Sequence, residues 1–70
     1  MHLLIMLTIN GAAQSFEPPL SCQQLLERLQ LAGKRVALER NGEIVPRSRL
    51  DAQLLADGDT LEIVVAVGGG

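Results

Sequence analysis

Two Asn-Gly dipeptides, Asn10-Gly11 and Asn41-Gly42, each separate short runs rich in apolar and β-branched residues. Asn-Gly accepts the positive φ angles of a tight two-residue turn, so each pair predicts a β-hairpin. In the first, Leu3 to Ile9 forms one arm and about Ala12 to Glu17 the other. Pro18-Pro19 ends it, because proline brings no N–H to a ladder. In the second, Arg35 to Arg40 carries Val36 and Leu38 in alternation, and Glu43-Ile44-Val45 returns as a short edge strand before Pro46. Strands that alternate in this way bury one face and need a partner to cover it.

The cover is written between the hairpins. Ser21 with Gln24 three residues on forms a capping box, and Leu20 and Leu25 sit at the staple positions. Cys22, Leu25, Leu26 and Leu29 then follow helical spacing, which predicts an apolar helix face, with Gly33 placed to stop it. Arg47 to Ala56 reads as a connector with a helical turn around Asp51 to Leu54, and Asp57-Gly58-Asp59 as a turn. From Thr60 to Val67, Leu61, Ile63, Val65 and Val67 alternate toward the core, with Glu62, Val64 and Ala66 outward. The sum is an α+β domain: a mixed sheet of four to five strands with one helix across one face. Residues 1–67 form the domain and 68–70 a flexible glycine tail.

A 70-residue chain supports one domain and no deep catalytic cleft. With 47% hydrophobic and 20% charged residues it is globular, not disordered. Phe16 is the only aromatic residue and the net charge is −2, which argues against base stacking and phosphate attraction, and so against nucleic acid. One cysteine and one histidine make neither an internal disulfide nor a four-ligand zinc site, so a cytoplasmic, metal-free protein is expected. The apolar run from Met1 to Leu7 is too short to span a bilayer and lacks a basic leader; it reads as a strand, and no membrane association is expected.

No phosphate-binding loop and no histidine paired with cysteine or serine is legible, so no catalytic residue is assigned and the chain is expected not to be an enzyme. Cys22, at an apolar helix position, reads as a buried thiol. Asp57 and Asp59 read as turn-capping groups, and His2 as a strand or solvent-facing residue. Val64 and Ala66 form an apolar patch on the outer face of the last strand, and Arg40, Arg47 and Arg49 are candidates for its polar rim. Together they make a candidate docking surface.

Three segments carry a more specific signal: Val36 to Arg49, Leu55-Ala56-Asp57-Gly58-Asp59, and the ending Ala66-Val67-Gly68-Gly69-Gly70. With the order strand, strand, helix, strand, strand, they make the chain resemble the ThiS family, the bacterial sulfur carriers of thiamine biosynthesis, from Met6 onward. That resemblance implies a ubiquitin-like β-grasp fold. It also implies that an E1-like adenylyltransferase joins AMP from ATP to the Gly70 carboxylate, and that sulfur from a donor protein then replaces the AMP. Gly68 and Gly69 would deliver the terminus, and thiazole synthase would receive the sulfur from the thiocarboxylate. No cofactor of the chain's own is implied, since the activating partner uses the ATP, and a monomer is expected when free.

The family's members typically begin near Leu7, so Met6 is a candidate start and residues 1 to 5 an extension. A carrier ending at Gly70 needs no protease to expose its terminus. Glycine lets that terminus thread a narrow channel, because no Cβ intervenes. Three other readings stay open: the small subunit of molybdopterin synthase, a protein modifier that forms isopeptide bonds, and an interaction domain with an inert tail.

Overall fold

The computed structural model describes residues 3–66. Both Asn-Gly pairs turn hairpins: β1 (Ile5–Ile9) pairs antiparallel with β2 (Ala12–Phe16), and β3 (Val36–Arg40) with β4 (Glu43–Ile44). Asn10 and Asn41 take φ of 49° and 52°, and Gly11 and Gly42 follow at 85° and 86°, as a type I′ turn requires. The last strand, β5 (Thr60–Val65), enters between the hairpins, parallel to β1 and antiparallel to β3. The sheet order is β2-β1-β5-β3-β4, a mixed five-stranded sheet with β5 at its centre.

Helix α1 (Cys22–Arg28) covers one face. Its capping box forms as expected: the Gln24 N–H donates to Ser21 Oγ at 3.0 Å, and the Ser21 N–H donates to Gln24 Oε1 at 2.9 Å. The next orphan donors are met by the connector, with Cys22 N–H on the Gln53 carbonyl and Gln23 N–H on the Leu50 carbonyl. Cys22, Leu25 and Leu26 are buried among Ile5, Leu7, Ile9, Leu38, Leu61 and Ile63, with Val45, Leu50 and Leu55 closing the cluster. Seven residues of helix are marginal alone, so burial of this face holds it, at about 2 kcal/mol for each fully buried leucine.

Four expectations are corrected. The helix ends at Arg28, well before Gly33. Gln30 takes the left-handed position at φ 61°, its N–H donates to the Glu27 carbonyl, and the Leu31 N–H donates to the Leu26 carbonyl at 2.8 Å. This is a Schellman closure with glutamine where glycine is usual. The connector's helical turn lies at Arg47–Arg49, as 3-10 geometry, and not at Asp51 to Leu54. Ile5, counted in the candidate extension of residues 1 to 5 although also in the predicted first arm, is a core residue of β1 paired with Phe16. Val65, expected in the core, is 39% exposed. β1 ends at Ile9, so β5 beyond Ile63 has only β3 beside it.

Candidate functional site

The candidate site is the end of β5, from which residues 67–70 continue. Gly68, Gly69 and Gly70, the expected delivery tail and modified residue, lie outside the described residues, as does Val67. What the structure defines is the platform that precedes them in the chain.

Both turn asparagines hold that platform. Asn10 donates from Nδ2 to the Ile63 carbonyl at 3.0 Å and accepts from the Ile63 N–H at 2.7 Å, while its own N–H reaches the Leu61 carbonyl. Its side chain therefore continues the parallel ladder one residue past the end of β1. Asn41 accepts the Thr60 N–H through Oδ1 at 2.9 Å and donates its backbone N–H to the Thr60 carbonyl. One asparagine fixes the start of β5 and the other its middle. Positive φ and an amide that reaches a neighbouring strand are met by the same residue.

Buried Asp59, just before β5, gathers four donors. Arg40 reaches its Oδ2 from Nε at 2.9 Å and from a terminal guanidinium nitrogen at 2.8 Å; Asn41 Nδ2 reaches Oδ1 at 2.9 Å, and the Ala56 N–H reaches Oδ2 at 2.8 Å. Burial by itself would raise this carboxyl's pKa. The Ala56 N–H, the Asn41 amide and the Arg40 guanidinium outweigh it and hold the group below its ordinary value. Met6 N–H bonds Asp57 Oδ1 at 2.7 Å, so Asp57 and Asp59 both serve the turn, as read from the sequence. Cys22 is buried, and desolvation pushes its thiol up, toward the inert protonated form.

The register divides the proposed docking residues. Directly opposed residues share a face of the sheet. Ala37 opposes Val64, and the Ala66 N–H bonds the Arg35 carbonyl at 2.8 Å, so these four line one side, away from α1. Val64 is 62% exposed there. Val64 and Ala66 meet Arg47 around a shallow depression of about 260 Å³ completed by Arg35, Val36 and Ala37.

Arg40 is elsewhere: it opposes buried Leu61, on the helix side, and is committed to Asp59. Arg49 sits on the 3-10 turn and does not line the depression. Arg35 and Ala37 were not singled out in the sequence. Strand alternation with Leu38 inward places both outward, but only the register with β5 brings them beside Val64.

Comparison with known proteins adds the lineage. The model of the ThiS family matches residues 7–70. The sulfur carrier protein ThiS of Bacillus subtilis (strain 168) is 41% identical over 66 residues, covering 93% of this chain and 100% of that protein. A thiazole synthase of Paramagnetospirillum magneticum is 44% identical over 64 residues, and there the chain spans only 20% of the relative's length. The crystal structure of a thiamine biosynthesis protein (ThiS) from Geobacter metallireducens superposes with a TM-score of 0.79 at 35% identity, covering 94% of this chain and 100% of that one. With a five-stranded mixed sheet, one covering helix and a family match that runs through Gly70, the chain belongs to the ThiS family of ubiquitin-like sulfur carriers of thiamine biosynthesis.

Proposed function

We propose that this chain carries sulfur as a thiocarboxylate on Gly70 and is a substrate of its partners, not an enzyme. The observation that carries the reading is the family match through Gly70, joined to a central strand clamped at its start and middle and leading directly to that terminus. A carboxylate near neutral pH is a poor electrophile and must first be activated. In this reading a Gly70 carboxylate oxygen attacks the α-phosphorus of ATP in an E1-like adenylyltransferase, and pyrophosphate leaves. The terminal sulfur of a persulfide on a donor protein then attacks the acyl carbon, and AMP leaves with the bonding pair. A thiol next attacks the donor-side sulfur of the resulting acyl disulfide, so that a disulfide forms and the S–S bonding pair stays on the released thiocarboxylate. ATP is the partner's substrate, and the carrier supplies only the terminus and the surface that docks it.

Thiazole synthase is the proposed acceptor. Support comes from two thiazole synthases, from Paramagnetospirillum magneticum and Magnetococcus marinus, that match this chain over 20% and 19% of their lengths. In those proteins a homologous segment shares a polypeptide with the synthase, an arrangement that raises effective concentration. The reading places the carrier in the cytoplasm; among the described residues no helix is long and apolar enough to cross a membrane.

The depression around Val64 and Ala66 is the proposed docking surface for the activating enzyme, with Arg47 at its rim. Carrier-dependent exchange of pyrophosphate into ATP tests both parts. Wild-type chain is expected to support exchange, deletion of Gly70 to abolish it, and Val64→Glu to raise the apparent KM about tenfold or more. Unchanged exchange by the deletion variant contradicts the carrier reading. An unchanged KM for Val64→Glu contradicts the docking surface alone.

A further inference from the structure

On the other side of β3 from Val64, a second and larger groove of about 430 Å³ runs between the end of α1 and the 3-10 turn. The Schellman closure builds its floor, since it sets Leu31 beside Leu26; Val36 and Leu50 complete the apolar lining. Lys34, Arg35 and Arg47 stand on its rim, and no carboxylate lines it. Among the described residues the only ion pair is Arg40–Asp59, so these three cations have no carboxylate partner. In a chain of net charge −2, half of the six lysines and arginines are collected around this groove. Arg35, Val36 and Arg47 also border the depression at Val64 and Ala66, so the two hollows share part of their lining.

We propose that this groove receives an acidic polypeptide segment of a partner protein, one that sets an apolar side chain on the Leu26–Leu31–Val36–Leu50 floor with carboxylates facing Lys34, Arg35 and Arg47. Three cations on one rim with no carboxylate partner among the described residues favour an anionic occupant, and complementary charge sets both approach and register. The floor favours a polypeptide over a small anion such as phosphate, because its partly buried Leu31 and Val36 leave apolar surface that rewards an apolar side chain and offers phosphate nothing. The proposal concerns the partner's chemistry at this groove and stands apart from whether Gly70 is adenylated.

The test is a heteronuclear NMR titration of the full chain with a short synthetic peptide of glutamates carrying two leucines. Two control peptides replace the glutamates by lysine, or the leucines by serine. The expected result is saturable shifts at residues 31–36 and 47–50 below about 1 mM, weakened severalfold between about 50 and 200 mM salt. The lysine peptide should give no shifts and the serine peptide weaker ones. Lys34→Gln with Arg47→Gln should weaken binding about tenfold, with the rest of the spectrum unchanged as proof of folding. Shifts confined to other surfaces, equal binding of the lysine peptide, or no binding by about 1 mM would overturn the proposal. Inorganic phosphate that competes fully with the peptide would overturn the polypeptide assignment as well.

Discussion

Asn10 and Asn41 each turn a hairpin, and each spends its side chain on β5. Glycine at position 10 keeps the backbone angle and removes both amide bonds to Ile63, whereas alanine removes the bonds and adds strain at φ 49°. Asn10→Ala is therefore expected to cost about 2 kcal/mol and Asn10→Gly about 1, read from urea unfolding. Asp59 carries the pH dependence. Its folded pKa is depressed, so its stabilising contribution is complete above the unfolded value of about 4 and is lost as pH falls through the folded value. Asp59→Asn is expected to lose about 2 kcal/mol near neutral pH and less in acid of about pH 3, where the wild type has begun to surrender the same interaction. A constant difference across that range contradicts the assignment.

At the scale of elements, β1 begins earlier than the family resemblance suggests. Ile5 is buried against Phe16 and the helix-covered core, so Ile5→Ala is expected to cost about 2 kcal/mol in the same unfolding experiment. Both hairpins, the capped helix and the alternating last strand were legible because Asn-Gly, the Ser21/Gln24 box and period-two spacing are local signals. The helix end was not, because Gln30 lacks the glycine that usually marks a left-handed closure. The depression at Val64 was half legible: alternation points Val64 and Ala66 outward, but Arg35 and Ala37 join them only through pairing distant in sequence. Arg40 shows the converse. Its charge suggests surface, and only the register with Leu61 and the donors around Asp59 reveal a largely sheltered, paired guanidinium. The exposure of Val65 likewise depends on where a different strand, β1, stops.

At the scale of the molecule, the fold divides its work between two sides and one end. The helix side supplies the core, the side bearing Val64 leaves a depression open, and the central strand leads to the terminus. Placing β5 between two hairpins restrains the first half of that strand from both sides, through β1 and β3, and its second half through β3. Intact-mass spectrometry of the chain after incubation with ATP, an E1-like adenylyltransferase and a sulfur donor, beside a variant lacking Gly70, tests this account most directly. It predicts a gain of about 16 Da, oxygen replaced by sulfur, on the full chain and none on the variant. No gain on the full chain, with the same adenylyltransferase active on another carrier, contradicts it.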